Sequence, residues 1–274
     1  MGWLMRGRLF VSVVGRPEAL GFAMCLFMMT LAGHTAAGRG SAEKDDRTPI
    51  PIDNLMHYSV SYAGVHCGSL TLESFVENTD EGPIHRIVMT ARTSKFFDGI
   101  YKVRSKIESL YSASRMSSTR YHEHSVEKQK VKDKLYVVEF DESRVRREEG
   151  DEEEFIPITS EQVYDPLSFL YRVRRLVVEP GDEIILNMVT DHGDVATVAE
   201  AVKTKTISTP FGRREALLVV PRPADEEMFS KKGTMNVWLS TDDRRIPYRI
   251  EFELSFGRLV AKLKKINGQE EKEK

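Results

Sequence analysis

Residues 248–256 read Tyr248-Arg249-Ile250-Glu251-Phe252-Glu253-Leu254-Ser255-Phe256, apolar and polar side chains in strict alternation. A period of two puts Tyr248, Ile250, Phe252, Leu254 and Phe256 on one face and the polar residues on the other. That pattern marks an antiparallel strand with one buried and one wet side. Met235, Val237 and Leu239 alternate with Asn236, Trp238 and Ser240 in the same way. Between the two lies Thr241-Asp242-Asp243-Arg244-Arg245, a charged run rich in turn formers that predicts a hairpin.

The same period recurs upstream. Strands are expected at 57–64, 69–77, 84–93, 101–110, 118–129, 134–141, 182–191 and 194–207, with one more through Ala216 and Val220. Gly64 and Gly68 are read as bracketing a turn at residues 65–67, and Asp191-His192-Gly193-Asp194 as a turn between strands. Evenly spaced strands with few helices between them predict a mainly β domain, an antiparallel meander curved into a barrel or half-barrel. One segment departs from the pattern. Asp165-Pro166-Leu167-Ser168-Phe169-Leu170-Tyr171-Arg172-Val173-Arg174-Arg175 opens with a capping carboxylate and a proline at the first helical position. Its apolar residues fall on several sides, so a short helix at about 166–176 should be buried against the concave face of the sheet. The acidic stretch 148–154 (EEGDEEE) is read as a solvated loop.

The ends of the chain differ from its middle. Arg6, Arg8 and Arg16 precede an apolar run at 19–33, and Thr35, Ala36 and Ala37 follow it. This is a signal-peptide pattern with cleavage near Ala37, and its apolar run is short for a membrane span. Residues 38–53 form a polar, proline-containing linker, 54–264 a single β-rich domain, and 265–274 a charged flexible tail. The expected location is the periplasm. Cleavage would remove three arginines and one glutamate from totals of 40 basic and 42 acidic residues, leaving 37 and 41 and a formal charge of −4. Such a balance gives no footprint for nucleic acid. The mature chain would keep Cys67 alone, so no internal disulfide can form.

No motif for phosphate binding, for an activated serine or for a zinc protease is present, and neither a catalytic residue nor a cofactor or metal is expected. His122 and His124 flank Glu123 on a strand and could begin a metal site, but charged neighbours make an exposed polar strand the simpler reading. Trp238, on the face opposite Met235, Val237 and Leu239, would either line a cavity or pack under the helix.

Several short motifs occur in a suggestive order: Tyr58-x-Val60-x-Tyr62-x-Gly64, then Asp98-Gly99-Ile100-Tyr101-Lys102-Val103-Arg104, then the helical segment from Asp165. Thr209-Pro210-Phe211-Gly212 follows, then Trp238-Leu239-Ser240-x-Asp242-x-Arg244-Arg245-Ile246-Pro247 and Phe256-Gly257-x-Leu259-x-Ala261-x-Leu263. Over about residues 55–264 the chain resembles the exported bacterial family of domain of unknown function 3108. The resemblance implies an exported β-rich domain of a Gram-negative envelope and brings no established activity or catalytic residue. By analogy of fold alone, such a domain is similar to the lipoprotein-carrier half-barrels.

Two functions follow from these expectations. A curved sheet with an apolar helix in its concavity could bind or carry an apolar or amphipathic ligand, such as a lipid or a lipoprotein acyl chain. Arg172 and then Arg104 would meet an anionic head group, with Tyr171 and Trp238 as wall residues. Alternatively the helix plugs the sheet, and the domain is an envelope scaffold or adaptor docking another protein. Contact with the membrane would be at most peripheral in either case. A filled concavity favours the scaffold and an apolar void the carrier.

Overall fold

The structure, a computed structural model, describes residues 55–176, 179–224, 234–254 and 257–267. The expected signal peptide and linker, and most of the expected tail, therefore lie outside the described residues. Among the described residues fourteen strands form one antiparallel sheet. In chain order they are β1 (Met56–Tyr62), β2 (Val65–Thr79), β3 (Gly82–Thr93), β4 (Val103–Ser112), β5 (Ser117–Glu127), β6 (Lys130–Glu139) and β7 (Arg144–Glu149). Then come β8 (Glu152–Pro157), β9 (Glu183–Thr190), β10 (Gly193–Thr209), β11 (Gly212–Pro223), β12 (Thr234–Ser240), β13 (Pro247–Leu254) and β14 (Gly257–Ile266). Among the described residues two α-helices interrupt the meander, the one-turn α1 (Lys95–Asp98) and α2 (Pro166–Leu176), beside a single 3-10 turn at Phe140–Glu142.

The spatial order runs from β8 back to β1, then to β14 and back to β9, so β1 and β14 join two meanders side by side. Pairing follows the alternation read from the sequence. Val60, Ala261, Ile250 and Val237 stand opposite one another across four strands and belong to one core. On the other face Glu251 is buried beside Arg249, whose guanidinium it pairs.

The sheet curls until its two ends nearly meet. Tyr136 on β6 donates to Asp191 in the β9–β10 turn at 2.5 Å, and Arg147 on β7 reaches the same carboxylate at 3.4 Å. The backbone N–H of Thr159, just beyond β8, donates to Asp194 of β10 at 2.7 Å. Yet β8 and β9 do not pair, and the sheet stays open. Residues 158–165 fill the seam instead: Ser118 N–H donates to Val163 O on one side, and Tyr164 N–H to Asn187 O on the other. The expected curved meander with one buried short helix is thus the observed fold.

Three local readings need correction. The stretch 148–154 is a hairpin of β7 and β8, with only Gly150 and Asp151 between the strands. Its acids escaped a strand reading because β propensity disfavours them, but cross-strand pairs of Arg146 and Arg147 with Glu153 and Glu154 offset their repulsion. The first turn sits at Ala63 and Gly64, not at 65–67. Both have positive φ, 47° and 84°, as a two-residue turn matched to the strand twist requires. Gly68 lies inside β2, where a Cβ would stand 2.3 Å from the carbonyl oxygen of Arg92, so its role is close approach of backbones rather than turning. Finally, the last strand continues to Ile266, and the N–H of Asn267 donates to Leu55 O, so chain order extends past the expected tail boundary at 265.

Candidate functional site

The helix α2 lies inside the curled sheet, and its sequence explains why it can. Every residue from 166 to 174 is buried, the polar Ser168, Arg172 and Arg174 among them. A helix so enclosed needs its end groups satisfied by protein. At the N-terminus Asp165 Oδ1 accepts from the N–H groups of Leu167 and Ser168, at 2.8 and 3.1 Å. Its Oδ2 accepts from the hydroxyls of Ser109 on β4 and Ser118 on β5, at 2.5 and 2.7 Å. Ser118 also lies 2.6 Å from Ser168 Oγ. Burial pushes the Asp165 carboxyl above its ordinary pKa, and these four donors work against that rise.

The C-terminal end is held by Arg174. Its Nε and Nη2 donate to the carbonyls of Arg245 and Arg244, at 2.8 and 2.9 Å, and the guanidinium stacks over Tyr171 at 4.7 Å. Arg174 is fully buried, so this cation serves the turn between β12 and β13. Arg175 makes a weaker contact with Asp243 O at 3.4 Å.

The four residues read from the sequence as a ligand site divide between two faces. Tyr171 and Arg172 are buried on α2, within the concavity. Trp238 pairs with Leu218 and Arg249 on the outer face, away from α2, and its indole Nε1 is buried with no partner among the described residues. Arg104 is also on the outer face, where it binds Asp98 through two hydrogen bonds at 2.9 and 2.6 Å. Those bonds, with help from Thr93, hold the Asp98 carboxyl down at about 2. The fold does not bring the four together. The serines that anchor α2 escaped the sequence reading, because an inward serine on a strand looks like any other polar residue.

Two cavities lined by described residues border this core, and both are small. One of about 20 Å³ lies beside Asp165, Pro166, Tyr121 and Tyr136, and one of about 30 Å³ lies under Phe97 and Tyr101, against Val60, Cys67 and Leu259. Each has room for about one water, whereas ligand pockets run to about 300–1,000 Å³. A larger hollow of about 390 Å³ is open and polar, lined by Arg115, Asp141, Ser160 and Glu161.

His122 and His124 share one carboxylate: Asp133 Oδ1 lies 2.6 Å from His122 Nε2, and Oδ2 lies 2.9 Å from His124 Nδ1. Among the described residues, no group of three or more His, Cys, Asp or Glu side chains is arranged to hold a metal ion. The Cys67 thiol is buried, and burial pushes its pKa up to about 11. At pH 8 that leaves about one thiolate in a thousand. Iodoacetamide should therefore label the folded protein far more slowly than the denatured one, and rapid labelling of folded protein would contradict the burial.

With the geometry in place, comparison adds the family. The family model described as a protein of unknown function, DUF3108, matches residues 57–264, from β1 to within two residues of the end of β14. The chain belongs to the DUF3108 family. A search of curated proteins found no match. Among solved structures, this DUF3108 chain is similar to a β-barrel-like protein of domain of unknown function DUF1849 from Brucella abortus. That likeness has a TM-score of 0.54 at 11% identity, covers 80% of this chain and 99% of that one, and concerns the fold alone. A DUF1089 family protein from Pseudomonas aeruginosa matches with a TM-score of 0.33 at 10% identity, covering 65% of this chain and 87% of that one.

Proposed function

We propose that this DUF3108 chain is an exported, non-enzymatic scaffold or adaptor of the cell envelope that engages a protein partner through its surface. The observation that carries the reading is α2, buried from 166 to 174 and pinned at both ends, which occupies the place a carried ligand would need. For a lipid or acyl chain to enter, α2 would have to leave, exposing Asp165 and Arg174 and stranding the serines and carbonyls they satisfy. Export rests on the signal-like N-terminus.

The surface best suited to a partner is β8. No strand among the described residues pairs with its outer side, so its backbone groups can accept an added strand. Glu152, Glu153 and Glu154 suit an extended segment carrying lysine or arginine, and Phe155, 46% exposed under the guanidinium of Arg144, offers an apolar contact beside them. Native mass spectrometry of the protein, purified gently from a Gram-negative periplasm and then incubated with envelope lipids, tests the reading. A ligand-free mass, together with cross-linking of a defined partner from a photoreactive residue at position 155, is the expected result. A lipid retained one-to-one would overturn it and restore carriage of an apolar ligand.

A further inference from the structure

We propose that one end of this sheet seats on the surface of an anionic phospholipid bilayer. The inference uses a surface distinct from β8 and stands whether or not β8 has a partner. Antiparallel order puts the β1–β2 turn, the β3–β4 connection with α1, and the β5–β6 turn at the same end of six neighbouring strands. The three are tied together: Ser94 N–H donates to Cys67 O at 2.9 Å, and Lys128 N–H donates to Lys102 O at 2.8 Å. Four large apolar side chains stand exposed on this rim, Phe96 at 71%, Val131 at 64%, Val65 at 43% and Ile100 at 38%. They are half of the eight exposed large hydrophobics among the described residues.

The local packing explains why they point outward. The neighbour of Phe96, Phe97, packs against the core, and the two rings meet edge to face at 5.5 Å. One turn of helix cannot bury both, so anchoring Phe97 presents Phe96.

Charge identifies the occupant. Lys95, Lys102, Lys128 and Lys130 are exposed around these apolar residues, in a chain whose net charge is −2. The rim carboxylates are engaged, Asp98 by Arg104 and Glu127 by the hydroxyl of Tyr101 at 2.9 Å. Exposed aromatic and aliphatic side chains ringed by lysine suit the boundary between lipid head groups and acyl chains. The acidic β7–β8 hairpin does not spoil the match. Glu149 pairs with Lys134, four residues back from Lys130, so the hairpin tip sits roughly 10 Å short of the rim at about 3.3 Å per residue. That offset is about one screening length in physiological salt.

The test is co-sedimentation of the purified protein with phosphatidylcholine vesicles, with and without about one third phosphatidylglycerol. Binding only to the anionic vesicles, weakening as salt rises, is the expected result. The double variant Phe96→Ser/Val131→Ser should lose at least about tenfold in binding, and Lys128→Glu/Lys130→Glu a similar factor. Phe75→Ser, on the exposed face of β2 away from this rim, should bind as the parent does. Circular dichroism melts separate loss of binding from loss of fold. Failure to bind either vesicle, equal binding to both, or binding unchanged in folded rim variants would overturn the proposal. So would capture of a soluble protein by this rim with no lipid affinity.

Discussion

Replacing Asp165 with alanine should lower the stability of the domain by about 4 kcal/mol, from loss of a helix cap worth about 1–2 kcal/mol and the stranding of buried donors at about 1–3 kcal/mol. The substitution removes the acceptor for the Ser109 and Ser118 hydroxyls and for two N–H groups at the start of α2. In a domain of this size such a loss lowers the melting temperature by about 10 °C. Thermal and urea unfolding of Asp165→Ala beside Asp165→Asn measures it. The asparagine keeps an acceptor for the helix N–H groups, and the serine hydroxyls can rotate to accept from its amide, so its cost should be about 1 kcal/mol. The comparison also has a pH signature. Because the folded pKa of Asp165 is raised above the ordinary carboxylate value, its contribution is fully present below that value. It declines as pH rises through the folded pKa, so the asparagine variant should gain on the parent as pH rises. A loss below about 1 kcal/mol for the alanine variant would show that α2 is not held by this carboxylate.

Arg174→Met is the second large effect, expected at about 3 kcal/mol, since removing a buried charged donor strands its acceptors. Methionine keeps most of the apolar stem in the core while leaving the carbonyls of Arg244 and Arg245 unbonded. Arg174→Lys should recover only part of the loss, because one ammonium cannot reproduce a fork that donates to two carbonyls and stacks on Tyr171. Should Arg174→Met unfold within about 1 kcal/mol of the parent in the same melts, the bonds to the β12–β13 turn would not be what holds the end of α2.

Both effects concern the residue pair that bounds the helix, and they show where sequence reading reached. Asp165-Pro166 announces a helix start by local chemistry, a capping side chain before a residue with fixed φ, and the start is where it was read. Arg174 sits in the last turn of α2, where a cation is locally favourable beside the helix dipole. Its actual partners lie about 70 residues away and come close only because β12 and β13 fold over the end of α2. The candidate ligand residues failed to converge for a related reason. Alternation shows that Trp238 and Arg104 face away from their strand neighbours Val237 and Val103, but it does not show that those neighbours share the helix-bearing face. Only the register across the seven strands from β12 to β4 decides that.

The sequence by itself determined the strands with one apolar face, the buried character of the helical segment and its start, and the family, because these depend on periods of two or 3.6 and on neighbours within a few residues. The tertiary structure alone decided that 148–154 pairs as a hairpin, that the curled sheet stops short of closure, and that α2 is pinned inside it at both ends. Those outcomes rest on contacts such as Tyr136 with Asp191 and Ser109 with Asp165, separated by 55 and 56 residues. Such contacts form only when the whole sheet has curled, and no local pattern in the chain encodes them.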